Sequence, residues 1–233
     1  QIDIAVDPLE GTNFVAKNLP NSFAVLAAAE KGNLFFAPDT YMEKIVIGPN
    51  LPSDLVDLDY SVEKNISHLA EAKNTSPDKL TVCLLDRQRH KKIISTLKRM
   101  KVKLKLITDG DVSGAIYVVN QKYAVDMYIG IGGGPEGVLA AAALSCYGAQ
   151  IQTRLVLDEH EAIRAKKMGI IDIKRKYNID EMIQGDTMFC ATAITNGEII
   201  DGIIEHKDFY ETTSIGLHKE GNVKKIFKNK FKK

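Results

Sequence analysis

LTVCLLDRQRHKKIISTLKRMKVKLKLITDGD, residues 80–111, is the stretch from which the architecture follows. Leu80–Leu85 is a short apolar run, residues 88–100 form a charged helical segment, and 102–107 is again strand-like. Strand, helix and strand at this spacing predict a βαβ unit with a parallel pair. Asp109-Gly110-Asp111 then falls at the carboxyl end of the second strand, where such sheets bind ligands. Downstream follow a helix near 111–119, a strand near 124–130, a glycine-rich loop at 130–134 and an apolar helix from Pro135. Residues 159–168 read as helical, and 187–194, 198–204 and 212–217 as strand-like. Upstream, Ser61–Ala72 places Val62, Ile66, Leu69 and Ala70 on one helical face. The segment 48–60, with two prolines, is a loop or linker. Residues 42–47 form a strand, and 22–30 pairs with 32–36 in a hairpin turning at Glu30-Lys31-Gly32. Residues 1–6 form a strand that Asp7-Pro8 ends, because proline cannot donate to the ladder.

The composition narrows the function classes. Thirty-one Lys and Arg stand against thirty Asp and Glu in 233 residues, a formal charge of +1. That balance gives no general attraction to nucleic acid or to a membrane surface, so electrostatic function must come from local clusters. The lysine-rich end, 224–233, reads as a solvated strand and tail. No apolar run reaches the roughly 18 residues of a membrane span, and VLAAAALSCY (138–147) reads as a buried helix. The opening residues do not read as a signal peptide. Cys83, Cys146 and Cys190 contain no CxxC pair, so they suggest neither a disulfide framework nor a zinc site. Cys83 and Cys146 sit in apolar surroundings and read as buried reduced thiols, which fits a cytoplasmic setting. The chain opens at Gln1 directly into the strand-like Ile2–Val6, which reads as a fragment or a processed chain.

Four constellations carry chemistry. In Asp7-Pro8-Leu9-Glu10-Gly11-Thr12, Pro8 turns the chain so that two carboxylates face one point, as a hard cation such as Mg²⁺ or Mn²⁺ requires. Gly11 permits close backbone approach, and Thr12 offers a hydroxyl and an N–H to a phosphate. The plainer reading is an acidic turn that caps a loop. In Gly130–Gly137 (GIGGGPEG), Pro135 suits a first helical turn, and Glu136 is a third candidate carboxylate for a metal. A tight strand-to-helix turn explains that run equally well, and a dinucleotide fingerprint fails because Pro135 stands where its last glycine belongs. Arg87 and Arg89 follow a strand at spacing two, which suits bidentate grip of a phosphate or a solvated basic helix start. Positive charge at a helix N-terminus opposes the dipole and favours the ligand reading. His90 reads as a bystander. Asp109 and Asp111 either accept from sugar hydroxyls or cap the next helix, and Tyr41 has an ordinary core or rim reading.

Taken together, VDPLEGT (6–12), APDTYMEK (37–44), DRQRH (86–90), TDGDV (108–112), GIGGGPEG (130–137) and FCATAITNGE (189–198) resemble the class II fructose-1,6-bisphosphatases of the lithium-sensitive phosphatase superfamily. The resemblance implies a mixed α+β fold, a layered αβαβα sandwich in two subdomains. Residues 1–76 would supply the metal and phosphate groups, and residues 77–233 the sugar and distal-phosphate contacts. It implies Asp7, Glu10 and Glu136 as ligands of Mg²⁺ or Mn²⁺, with the Leu9 carbonyl a further one. It implies Thr12, with Asp7 and Glu10, as the catalytic group orienting water. Glu10, Gly11, Thr12, Tyr41, Arg87, Gln88, Arg89, Asp109, Gly110, Asp111 and Gly133 would contact substrate. The activity implied is hydrolysis of the 1-phosphate of fructose 1,6-bisphosphate, in gluconeogenesis or glycerol metabolism, by a cytoplasmic homo-oligomer, a dimer or tetramer. Gln88 stands where the family commonly has proline. Family members also carry a segment before the DPLEGT strand that adds an Asp, a Lys and a pair of Glu to the metal site. Residues 1–233 do not include it, so this polypeptide alone is expected to bind metal weakly or to be inactive. The alternatives are sedoheptulose 1,7-bisphosphate, an inositol phosphate or a phosphoadenosine nucleotide as substrate, a metabolite-binding module that has lost catalysis, and a nucleotide-dependent dehydrogenase.

Overall fold

The βαβ unit read from residues 80–107 is present in the computed structural model, which describes residues 1–233. The elements run β1 (Ile2–Glu10), α1 (Thr12–Ala16), β2 (Phe23–Glu30), β3 (Tyr41–Ile47), α2 (Val62–Ala72), β4 (Thr81–Leu85), α3 (Lys91–Arg99), β5 (Lys103–Ile107), α4 (Asp111–Ile116), β6 (Met127–Gly133) and α5 (Gly134–Tyr147). They continue with β7 (Gln150–Val156), α6 (Glu159–Lys167), β8 (Lys176–Asn178), α7 (Ile179–Met182), β9 (Thr187–Ala193), β10 (Ile204–Glu205), β11 (Phe209–His218) and β12 (Val223–Lys232).

Two sheets form. The first is antiparallel, in the order β1-β2-β9-β11, with β12 and the short β10 also on β11. The second is mixed, in the order β5-β4-β6-β3-β7-β8, and β4 lies parallel to both β5 and β6. Helix α5 runs between the sheets, against β1, β2 and β9 on one side and β3, β6 and β7 on the other. Val138–Leu144 is buried without a break. A helix apolar all round needs walls on every side, and the two sheets provide them. Helices α2 and α3 cover the far face of the mixed sheet, where Ile66, Leu69 and Leu97 meet Ile45, Leu84 and Ile129. Ser61 caps α2 by accepting from the Lys64 N–H at 3.2 Å. The result is the layered mixed α+β sandwich expected from the sequence. Within it, the outer face of the antiparallel sheet presents Ile4, Val6, Met188 and Phe227 to solvent.

Several local expectations change. β1 does not stop at Pro8 but continues to Glu10 through a bulge. As β1 is an edge strand, the missing N–H of Pro8 breaks no ladder there. Residues 32–36 do not pair with β2, because β1 and β9 already take both of its edges; a single bridge joins Leu34 to Ile183 instead. Gly130–Gly133 is strand rather than loop, paired with Tyr41–Lys44. Of 198–204 only Ile204 is in a strand, since Asn196 Oδ1 accepts the Gly202 N–H at 2.9 Å and folds the segment into a loop. Cys83 and Cys146 are buried free thiols, and Cys190 is exposed.

Candidate active site

The end of β1, the β5–α4 turn and the β6–α5 junction meet in a cleft of about 180 Å³, lined by Asp7, Leu9, Glu10, Gly11, Thr12, Asp109, Asp111 and Glu136. The bulge in β1 lies between Asp7 and Glu10, and bulges re-aim side chains. The Leu9 N–H donates to Asp7 Oδ1 at 2.9 Å, and Ser22 Oγ donates to the Glu10 carbonyl at 2.8 Å. Gly11 (φ 78°) and Gly110 (φ 83°) both adopt left-handed backbone. A Cβ at either would strike the ring of Phe14, so one aromatic seats both turns.

Glu10 is the least satisfied group. It is 2% exposed. Its Oε1 accepts the Val112 N–H at 2.8 Å, while Oε2 is buried with no partner. Burial pushes its pKa well above the ordinary value, and Asp111, Asp7 and Asp109 add to that, against the Val112 hydrogen bond. Burial also raises Glu136, opposed by its own backbone N–H and by Lys44.

Asp111 is held differently. Lys44 Nζ and Tyr128 Oη donate to its two carboxylate oxygens, and Lys44 also donates to the Gly133 carbonyl at 2.8 Å. Lys44 is 1% exposed, so its charge is neutralised inside the protein. The glycines beside it make room for acids. A Cβ at Gly132 would fall on the Asp111 carboxylate, and one at Gly133 on the Glu136 carboxylate.

The expected rim residues lie alongside. Asp109 Oδ2 accepts from the Asn13 N–H and side-chain amide, each at 3.1 Å, and Arg87 Nη2 is 3.8 Å from Asp109 Oδ1. Arg89 donates from Nε (2.9 Å) and Nη2 (2.8 Å) to the Ile131 carbonyl and sits 4.8 Å over the Tyr41 ring. Gln88 is exposed between the two arginines and does not line the cleft. Sequence reasoning did not find Asn13, Lys44 or Tyr128, and it set aside His90, which proves fully buried. Lys44 did leave a signal: it shares a strand face with Met42 and Val46, where a lone charge must find a partner.

No three acidic, histidine or cysteine side chains converge into a ready-made metal cage. The donor set fits instead a hard divalent cation that keeps several waters and takes one or two carboxylates. The partnerless Glu10 oxygen is the atom such an ion would satisfy. Larger cavities lie elsewhere, one of about 390 Å³ between β1 and residues 34–37, but its lining is mostly apolar.

The sequence model of the family described as bacterial fructose-1,6-bisphosphatase, glpX-encoded, matches residues 1–230. The chain belongs to that family. A D-fructose 1,6-bisphosphatase class 2/sedoheptulose 1,7-bisphosphatase of Synechococcus sp. (strain JA-3-3Ab) is 41% identical over 87% of this chain and 62% of its own length. The protein of the same description from Microcystis aeruginosa is 39% identical, over 87% of this chain and 63% of its own. The chain thus spans just over three-fifths of the length of these relatives of the family, 62–63%. No helix is long and apolar enough to cross a membrane.

Proposed function

We propose that this chain carries the catalytic cleft of a metal-dependent phosphatase that removes the 1-phosphate of fructose 1,6-bisphosphate, giving fructose 6-phosphate and phosphate. The observation that carries the reading is the buried, partnerless Glu10 oxygen in an acid-lined cleft with Arg87 beside its Asp109. Glu10, with Asp7, Glu136 and the Leu9 carbonyl as further donors directly or through the ion's waters, would hold Mg²⁺ or Mn²⁺, which when bound supplies positive charge to the phosphoryl oxygens. Thr12 orients the attacking water, and the Gly11 and Thr12 backbone holds the phosphate that is cleaved. Asp109 and Asp111 accept from sugar hydroxyls. Arg87 and Arg89 face the second phosphate, with Tyr41, Gly110 and Gly133 beside them, while Gln88 points to solvent and takes no part in the wall. The cleft lies where the two sheets meet, each of them drawing strands from both residues 1–76 and residues 77–233, in a cytoplasmic homo-oligomer.

Sedoheptulose 1,7-bisphosphate is the second reading, because the Synechococcus and Microcystis relatives are named for both activities. The test is phosphate release from each ester by the intact protein with Mg²⁺ or Mn²⁺, before and after Glu10→Gln. Loss of at least about a hundredfold in kcat is expected, the order of one lost charge-stabilising group. An unchanged rate removes Glu10 from the machinery.

A further inference from the structure

His90 is fully buried, yet nothing in the reaction outlined above uses it. Its ring lies between two strands of the mixed sheet. Nδ1 is 2.7 Å from the Leu85 carbonyl, at the end of β4, and a carbonyl can only accept, so Nδ1 carries the proton. Nε2 accepts the Ile131 N–H of β6 at 2.8 Å and must therefore be bare. The two bonds select one neutral tautomer. Burial in any case holds the ring below the ordinary histidine pKa, as does Arg89, against the Leu85 bond. A second observation comes from the partner strand. A Cβ at Gly130 would sit 3.0 Å from His90 Cε1 and 3.1 Å from Nε2, so the first glycine of the run leaves room for this ring and not for a ligand.

The residue that His90 holds is the one that carries Arg89, through the peptide groups on its two sides. Ile131 gives its N–H to His90 and takes two N–H donors of Arg89 on its carbonyl. Arg89 is thereby fixed over Tyr41, whose backbone pairs with Gly133. The guanidinium keeps its remaining donors for solvent or a ligand.

We infer that His90, with Gly130 opposite it, is the positioning residue for the arginine turn, and sets the grip on the second phosphate without touching the phosphate that is cleaved. The inference rests on the bisphosphate reading of the preceding section. It predicts different outcomes for two isosteric substitutions. Asn offers an amide where Nδ1 lies and keeps only the Leu85 bond. Gln places an oxygen where Nε2 lies and keeps the Ile131 bond.

The experiment compares wild type, His90→Gln and His90→Asn of the intact protein. Steady-state kinetics use fructose 1,6-bisphosphate and fructose 1-phosphate, and amide hydrogen exchange is followed at Ile131. For His90→Asn, KM for the bisphosphate should rise about tenfold with kcat within about twofold, since one buried hydrogen bond is lost. Its KM for the monophosphate should stay near wild type, and Ile131 exchange should quicken. His90→Gln should stay near wild type in all of these. An Asn variant with unchanged bisphosphate KM overturns the inference, and so does an equal rise for both esters, which would mark a merely structural role. Equal losses in Gln and Asn overturn the assignment of Nε2 to Ile131. A wild type that neither binds nor cleaves either ester overturns the phosphatase reading itself, and this inference with it.

Discussion

Glu10 is a carboxyl group that folding makes worse off. With its folded pKa raised, the folded state holds the proton to a higher pH than the unfolded state does. Stability from this group is therefore greatest at low pH, where Glu10 is protonated in both states. It declines as pH rises from the ordinary carboxylate range through the raised folded value. A divalent cation bound at Glu10, as proposed above, would replace that proton and reverse the loss. In EDTA, Glu10→Gln should raise Tm at neutral pH by a few degrees, on the order of 1 kcal/mol, and the gain should vanish as pH falls. Melting curves between pH 5 and 8, with and without Mg²⁺, check this; a Gln variant that melts lower at neutral pH in EDTA would refute it. The carboxylates themselves were legible in the sequence because spacing at a strand end gathers them. What anchors them was less so. Lys44, Tyr128 and Asn13 act from three separate elements, and their meeting depends on sheet order, which no local pattern encodes.

The strand-to-helix passage from β6 into α5 shows the same limit for whole elements. Alternation is the mark of a strand, and glycines carry no side chain to alternate, so Gly130–Gly133 looks like a loop until its pairing with β3 is known. Proline misled in the opposite sense at β1, where an edge position tolerates it. The βαβ unit and α2, with full side-chain periodicity, were readable directly. The glycines of β6 also allow a test that separates folding from function. The Glu136 carboxylate is the free end of a flexible chain, so Gly133→Ala should displace it at a stability change within about 1 kcal/mol. Divalent-cation affinity should then fall about tenfold or more. Asp111 is pinned by Lys44 and Tyr128 and cannot swing away, so Gly132→Ala should cost about 1–3 kcal/mol as overpacking. Urea denaturation with calorimetric Mn²⁺ titration distinguishes the two; equal stability losses would contradict the account.

At the scale of the molecule, the layered arrangement leaves one broad surface uncovered in these residues. Ile4 (56% exposed) and Val6 (59%) on β1 and Met188 (54%) on β9 share the outer face of the antiparallel sheet, with β2 between them. Patches of this kind associate or bind apolar dyes. A polypeptide of residues 1–233 should therefore bind anilinonaphthalene sulfonate when folded. Val6→Thr with Met188→Thr should at least halve the fluorescence with little change in Tm, as threonine suits a strand. Weak dye binding by the unsubstituted polypeptide would show that the surface is closed.

The cleft has a different consequence at this scale. Asp7 and Glu10 come from the antiparallel sheet, whereas Glu136 follows a strand of the mixed one. An ion held by these three would act as a rivet across the seam of the sandwich. Because it binds only when both plates are in register, its binding free energy adds to the fold as a whole. Chelation would then loosen the two plates together, and protection from exchange would fall on both at once, far from any ligand.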